Sequence, residues 1–509
     1  MPNRPPKKVI WKPLPGSQCF ALSAPVDHIM IDGTRGGGKT DVQIMRFRRH
    51  VGQGYGGFWR GVIVGRSYKA LDDIVARSKR WFPKFGDGAK FKASQSSYKW
   101  VWPGGEELLL RVMEKPEDYE KFHGQEFPFI GWNELTQWAT SECYDLLMSC
   151  NRSSFIPAEH SPDPDNPLPE LPLTVISTTN PSGPGHNWNK KRFVDIAPAG
   201  KVVRNTTRVY NPRTKEEEDV VKTQVRLFSS YKENRYLSPS YIADLNNITD
   251  PNKRKAWLEG DWNVTAGGAL DDLWDNQIHI LDRFPVPDNW RTRRSHDWGS
   301  SHPFSTGFWA ESNGEEIEID GRKMSFPKGS LIRFAEDYGA EGRKDPNGQV
   351  DYYGHNVGLK LPSGEVAQRV KDLEESLLLL GWISKPVDPG PADNQIFDVN
   401  DKESDSIAEA MAKKGVRWTR SDKKKGSRKN GLQLMRDMLK NAKDGEGPGL
   451  YVMRNCKAFI NTVPVLPRSE KDPDDVETTA IDHVYDETRY MVLDARPDYV
   501  TEAKVEFAT

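Results

Sequence analysis

The chain has 509 residues, of which 36% are hydrophobic and 10% aromatic, enough apolar area for roughly two to four domains of ordinary size. No apolar run is long enough to cross a bilayer, and the basic start MPNRPPKKVIWKPLPG lacks the apolar core and cleavage site of a secretory signal, so the protein is expected to stay where it is made. A net charge of −1 gives no sign of a dominant basic field, so any nucleic-acid contact would have to come from local patches, and the scattered Cys19, Cys143, Cys150 and Cys456 suit a reducing cytoplasm rather than a zinc site or a disulfide framework.

In chain order, apolar strands are predicted at His28–Asp32, Gly61–Gly65 and Leu173–Thr178, with helical stretches between them. This is the pattern of an α/β domain built on a mainly parallel sheet. The proline-rich stretch Pro157–Pro172 reads as a surface loop without regular structure, because its prolines remove donors and fix the backbone. Paired glycines and acids at Val264–Asp272 mark a break, with the boundary near Thr265. A strand-rich pattern begins at Arg293 and predicts a mixed sheet with added helices. The expected division is 1–264, a linker at 265–290, and a second domain at 291–509.

The segment Gly33-Thr34-Arg35-Gly36-Gly37-Gly38-Lys39-Thr40 fits G-x-x-x-x-G-K-T between an apolar strand and a helix. In such a loop backbone N–H groups converge on phosphate oxygens, Lys39 reaches the terminal phosphates, and the Thr40 hydroxyl can ligate Mg²⁺. Hydrolysis needs a carboxylate near the attacking water, and FPFIGWNEL at Phe127–Leu135 offers Glu134. Asn133 before it could hold a metal-bound water through its amide oxygen but brings no charge. Pro128 and Gly131 make this segment a poor interior strand and equally consistent with an edge strand. Polar Thr178, Thr179 and Asn180 follow the LTVIS strand, where parallel sheets bind ligands.

These three segments, in this order, resemble the ATPase motor of the large terminase subunit of tailed bacteriophages. The resemblance rests on GTRGGGKT, on KFHGQEFPFIGWNELTQW at Lys121–Trp138 and on TTNPSGPGHNWNKKRF at Thr178–Phe193. It continues through ENRYLSPSYIADL at Glu233–Leu245 and KAWLEGDW at Lys255–Trp262. It implies a P-loop NTPase of the ASCE type that uses ATP and Mg²⁺, with Glu134 catalytic and Gln18 on the adenine. Thr178, Thr179 and Asn180 would form the coupling motif. The family carries Asp-Glu where this chain has Asn133-Glu134. The insertions at Pro157–Pro172 and Ile317–Pro362 fall outside the resemblance.

In the second block Asp297 ends a short strand, Asp393 follows another, and Asp482 and Asp486 lie four apart on one face of a predicted helix. Such a cluster could hold divalent ions for phosphodiester cleavage. This block resembles the terminase nuclease domain, with the fold of ribonuclease H and the RuvC resolvase, through PADNQIFDVNDKESDSIAEAMAKKGVRWTRSDKKKG and DHVYDETRY. The resemblance implies metal binding by Asp297, Asp393 and Asp486, with Asp482 auxiliary, and Mg²⁺ or Mn²⁺ at that site. Glu336 is a further candidate ligand or an ordinary strand-end residue. His296 and His483 flank the proposed metal acids. Arg35, Arg66, Arg111 and Arg152 are candidates for an arginine that stabilises the ATPase transition state. The basic segment Lys413–Lys429 could track a phosphate backbone while Trp418 packs or stacks, or could be a solvated surface.

The resemblance therefore implies a motor that drives double-stranded viral DNA into a procapsid and a nuclease that cuts the concatemer. Its implied partners are the portal protein and a small terminase subunit. It implies a pentameric ring at the portal, formed by chains that could be monomeric in isolation, and a place in the host cytoplasm during assembly rather than in the mature virion. Two other readings share these features: a helicase or recombination ATPase with a resolvase-like domain, and a nucleotide-dependent switch, which Asn133 keeps open.

Overall fold

The computed structural model describes residues 9–495 apart from 95–96, 213, 263–267, 320, 345–349, 400–404, 470–471 and 473. It divides into two compact units, described residues up to Trp262, with Lys344, falling in the first and 268–343 with 350–495 in the second. The boundary expected near Thr265 lies outside the described residues.

The first unit follows α1 (Ser17–Ser23) with β1 (His28–Gly33), α2 (Lys39–Arg48), β2 (Arg60–Gly65), α3 (Tyr68–Trp81), β3 (Lys90–Lys92), β4 (Lys99–Val101), β5 (Glu107–Val112) and β6 (Phe129–Trp132). Then come α4 (Glu142–Leu147), α5 (Pro157–His160), β7 (Thr174–Thr178), α6 (His186–Asn189), β8 (Val202–Asn211), β9 (Glu216–Ser229), α7 (Pro239–Asn246) and α8 (Pro251–Arg254). The strands form one nine-stranded sheet in the order β3-β4-β5-β2-β6-β7-β1-β9-β8. The inner strands β5, β2, β6, β7, β1 and β9 run parallel, and the hairpins at both edges are antiparallel.

Alternate residues of β1 enter different cores: Ile29 and Ile31 pack in one, Met30 in the other. A strand covered on both faces reads as a continuous apolar run, as this one does. Helix α3 shows the complementary periodicity. Ser67 Oγ accepts from the Ala70 N–H as its N-cap, and Leu71, Ile74, Val75 and Ser78 form the buried stripe.

Two expectations need correction. Strand β6 is not an edge strand: it lies between β2 and β7 with every residue buried. Pro128 falls just before it, where only its carbonyl is needed, accepting from the Thr174 N–H at 2.7 Å. Gly131 keeps the space clear, since a Cβ there would come within 2.8 Å of Ile63 Cγ1. The Pro157–Pro172 stretch begins with a turn of helix, α5, because proline at the first helical position gives up only an N–H that would be unpaired anyway.

The second unit contains α9 (Asn276–His279), β10 (Ile280–Leu281), β11 (Arg291–Asp297), β12 (Ser305–Glu311), β13 (Glu316–Ile319), β14 (Arg322–Ser325), β15 (Leu331–Tyr338), β16 (Arg343–Lys344) and β17 (Val350–Asp351). It continues with α10 (Ser363–Leu379), β18 (Pro391–Ala392), α11 (Ile407–Lys413), β19 (Thr419–Arg420), α12 (Ser427–Asp444), β20 (Leu450–Met453), α13 (Lys457–Thr462) and α14 (His483–Asp494). Its seven-stranded sheet runs β10-β20-β15-β12-β11-β18-β19. The meander β11-β12-β15 is antiparallel, and β18 and β19 add parallel to β11, which is the strand order of the ribonuclease H fold. The described part of the stretch read as a linker is built into this unit, since β10 pairs with β20 at the sheet edge.

Candidate functional site

Strand β7 lies between β1, which leads into the glycine-rich loop, and β6, which leads into Asn133 and Glu134. An extra strand between these two is the arrangement of ASCE P-loop NTPases. It brings the carboxyl ends of β1, β6 and β7 to one edge, where open α/β sheets bind ligands.

The loop is held from β9 and the segment after it. Gly33 has φ +112°, and a Cβ there would fall 2.3 Å from the Ser229 carbonyl oxygen, so only glycine fits. The Thr34 N–H donates to that same carbonyl at 2.9 Å, and Asn234 Nδ2 donates to the Gly36 carbonyl at 2.7 Å. Gly36 and Gly38 take positive φ, and a Cβ on Gly37 would meet Ser229 Oγ at 2.4 Å. Arg35 lies over the Trp257 ring, its guanidinium carbon 3.3 Å from the centroid. Thr40 sits in the first turn of α2.

Lys39 is buried, and its Nζ donates to the Thr34 carbonyl at 2.7 Å and to Asn180 Oδ1 at 2.8 Å. Burial pulls its pKa down, opposed by the charges of Glu134 and Asp32. Asn180 Nδ2 in turn donates to Glu134 Oε2 at 3.4 Å. Glu134 has φ +56°, a left-handed conformation that costs a non-glycine residue and that clusters at functional sites. Its own N–H donates to Thr178 Oγ1 at 3.4 Å, and the Thr136 and Thr179 hydroxyls lie 2.7 Å apart. Glu134, Thr178, Thr179, Asn180 and Lys39 thus form one connected polar group at the loop.

Asn133 faces differently. Its Nδ2 donates to the Ala70 carbonyl at 2.8 Å, a bond that an ionised Asp could not make. Gln18 accepts from the Leu14 N–H at 2.8 Å and donates to the Gly38 carbonyl at 2.9 Å, so its amide ties the segment before α1 to the loop. Among the arginine candidates, Arg66, at the carboxyl end of β2, donates to the Gln137 carbonyl. Arg111 donates to Tyr98 and Arg152 to Gly124.

In the second unit Asp297 ends β11, and the Asp393 N–H donates to the His296 carbonyl, so these two acids come from adjacent parallel strands. Asp482 is the N-cap of α14 and Asp486 lies in its first turn. His483 Nδ1 pairs with Asp297 Oδ2 at 3.2 Å and its Nε2 with Asn356 Oδ1 at 2.8 Å, while Tyr490 Oη donates to Asp297 Oδ1 at 3.3 Å. Burial raises the pKa of both Asp297 and Asp482, and the charge of Asp486 raises them further. Burial works against a charge on His483, but its bond to Asp297 and the surrounding acids leave its pKa above the ordinary value.

Carboxylate oxygens are the donors a hard divalent ion takes, and Asp297 and Asp482 are raised first by burial and then by the neighbouring acids, a repulsion that an ion would relieve. The donor chemistry therefore fits Mg²⁺ or Mn²⁺. In the arrangement seen, no three acid, His or Cys side chains among the described residues converge on one point. Two cations stand among them instead. Lys423 Nζ contacts Asp393, and Arg428 reaches Asp475 at 2.9 Å, Asp486 at 3.7 Å and Asp482 at 3.9 Å. An ion held by Asp393, Asp482 and Asp486 would have to displace these side chains.

Several sequence candidates have other duties. Glu336 caps α13, accepting from the Ala458 and Phe459 N–H groups, and pairs with Arg333 at 3.2 Å. His296 is fully buried, with Nδ1 2.8 Å from Thr306 Oγ1 and its ring stacked on Trp418. Trp418 is 8% exposed and packs in the core, so it stacks on no base. Sequence reasoning did not assign Lys423, Arg428, Asp475, Asn356 or Tyr490 to this centre. Lys423 and Arg428 lay in the basic segment already singled out, but Asn356 lies in a stretch with no motif around it.

No protein-family profile matches the chain, and no curated protein does. Among solved structures it is similar to the large terminase of a thermophilic bacteriophage, at 16% identity over 94% of this chain and 98% of that one, with a TM-score of 0.37. It is also similar to the large terminase of bacteriophage HK97, at 10% identity over 94% and 92% of the two chains, TM-score 0.40. The P22 large terminase nuclease domain is similar at 13% identity, covering 45% of this chain and 92% of that one, TM-score 0.30. At these identities and TM-scores the likenesses decide nothing about function, which rests on the residues of the two sites.

Proposed function

We propose that this chain is a DNA-packaging motor of the large-terminase kind, an ATPase that drives double-stranded DNA into a procapsid and a metal-dependent endonuclease that cuts the concatemer. The observation that supports it is the presence on one chain of two sites: the Lys39–Asn180–Glu134 group at a phosphate loop, and the Asp297, Asp393, Asp482 and Asp486 centre on a ribonuclease H-type sheet.

In the first unit the loop N–H groups and Lys39 would bind the ATP phosphates, Thr40 would meet Mg²⁺, and Glu134 would orient the attacking water. Binding of a γ-phosphate would draw Lys39 from Asn180, and Asn180 would pass that change to Glu134 and to the polar end of β7. In the second unit Asp297, Asp393 and Asp486, with Asp482, would hold Mg²⁺ or Mn²⁺. When bound, such ions activate water and stabilise the leaving oxygen. His483 and Tyr490 would fix the Asp297 carboxylate. The portal protein, a small subunit, a pentameric ring and the host cytoplasm belong to the same proposal. No described helix is long and apolar enough to cross a membrane.

The test is ATP-dependent displacement of a third strand from linear duplex by the full chain. Displacement by the wild type and none by Glu134→Ala supports a translocase. Separation of a forked duplex without displacement of the third strand would instead favour a helicase.

A further inference from the structure

Beside the acidic centre lies a buried hydroxyl that no group among the described residues satisfies. Tyr338 ends β15, and the register sets it in one row with Ser305 of β12 and Asp297 of β11. Residues directly opposite one another on neighbouring antiparallel strands present their side chains to the same face. Here that face carries α14: Ser305 Oγ donates to Glu487 Oε2 at 3.4 Å, and His483 and Tyr490 reach Asp297. Tyr353 stacks on the Tyr338 ring, with centroids 6.1 Å apart and planes inclined by 27°. Tyr338 Oη is shielded from solvent and has no hydrogen-bond partner among the described residues. Burial, then the neighbouring Tyr353, Glu336, Asp482 and Asp297, hold it firmly protonated, so it is a donor.

A buried donor without an acceptor is costly and calls for an explanation. The charged donors at this centre already face acids, although among the described residues Arg428 Nη2 makes no hydrogen bond, and the buried His296 Nε2 and Trp418 Nε1 nearby also lack one. Lys423 is on Asp393, Arg428 on Asp475, Asp482 and Asp486, and His483 on Asp297 and Asn356. Tyr485 Oη is also unpartnered among the described residues, but Tyr485 is fully buried, whereas Tyr338 is partly exposed. A neutral donor suits an anionic oxygen brought next to carboxylates, because it adds no charge that the carboxylates would capture first.

We infer that the Tyr338 hydroxyl holds a phosphate oxygen of bound duplex DNA at the acidic centre. The inference rests on the nuclease reading above and assigns the residue that seats its substrate.

The experiment compares the full-length wild type with Tyr338→Phe. Without DNA the variant is expected to melt at the same temperature or higher, since it keeps the ring and loses the orphaned hydroxyl. Calorimetric titration with Mn²⁺ alone should give the same affinity for both proteins. Binding of a short duplex in Ca²⁺ should weaken several-fold, and the rate of Mn²⁺-dependent plasmid cleavage should fall at least tenfold with ATP hydrolysis unchanged. Wild-type duplex binding and cleavage by the variant would overturn the assignment. So would a loss of Mn²⁺ affinity that matches the loss of cleavage, which would make Tyr338 part of the ion site. A wild-type chain that neither binds Mn²⁺ nor cuts would overturn the nuclease reading itself, and the inference with it.

Discussion

The side-chain oxygen of Asn180 accepts a hydrogen bond from Lys39 Nζ at 2.8 Å. Its nitrogen donates to Glu134, so one amide links the phosphate-binding cation to the carboxylate proposed to orient water. Hydrogen bonds to charged groups are worth about 1.5–3 kcal/mol. Asn180→Ala is therefore expected to lower ATP turnover by about tenfold or more while leaving binding of a fluorescent ATP analogue within a few-fold of wild type. Equal losses in both would make Asn180 a binding residue only.

Gly33 is the tightest point of the loop. Its φ of +112° and the 2.3 Å approach of the Ser229 carbonyl leave no room for a side chain. Gly33→Ala is expected to abolish nucleotide binding, whereas Gly52→Ala, whose Cβ meets nothing within 4 Å, should leave it intact although its positive φ costs some stability. Equilibrium binding of the ATP analogue checks both.

Helix α14 is pinned to the second sheet by a buried ion pair. The Glu487 carboxylate takes Arg333 Nη1, Ser295 Oγ and Trp309 Nε1, and both charged side chains are fully buried. Removing one partner of such a pair typically costs about 3–5 kcal/mol. Glu487→Ala should accelerate amide exchange in β11 and α14 and lower the denaturant midpoint of the second unit. Unchanged exchange there would mean that the helix is held by its apolar contacts alone.

Acid should weaken the first unit through His186. It is buried, with Nε2 3.0 Å from the Trp262 carbonyl oxygen, and burial lowers its pKa from 6.5 to about 4. Between these values the unfolded chain takes the proton and the folded one does not, so stability falls as the pH drops from about 6.5 and levels off below about 4. The full difference is about 3 kcal/mol. Urea midpoints at pH 7 and pH 4.5 for wild type and His186→Gln measure it, and the variant should lose less stability over that interval.

Lys423 competes with a metal for Asp393. Lys423→Gln should raise Mn²⁺ affinity in the absence of DNA, read by calorimetry, and an unchanged affinity would mean that the contact opens without cost.

What the sequence made legible was local. The phosphate loop, its flanking strand and its helix lie within some twenty consecutive residues and obey short-range rules. Asn180 was visible as a polar residue after a strand, but its place between Lys39 and Glu134 depends on β7 inserting between β1 and β6, which only sheet order decides. Strand β6 was read against itself because Pro128 and Gly131 weigh on propensity, while burial between β2 and β7 overrides it. The basic segment was left open between two readings for a related reason. Lys423 and Arg428 are neutralised by acids distant in sequence, and Trp418 is drawn into the core beside His296. Tyr338 carried no signal at all, since its nearness to Asp297 is a matter of strand register.

The most direct measurement follows ATP hydrolysis and Mn²⁺-dependent cleavage of supercoiled plasmid together, in the wild type, Glu134→Ala and Asp297→Ala. The account expects the wild type to do both, Glu134→Ala to lose hydrolysis but keep cleavage, and Asp297→Ala to lose cleavage but keep hydrolysis. Cleavage that survives Asp297→Ala, or hydrolysis that survives Glu134→Ala, would contradict it.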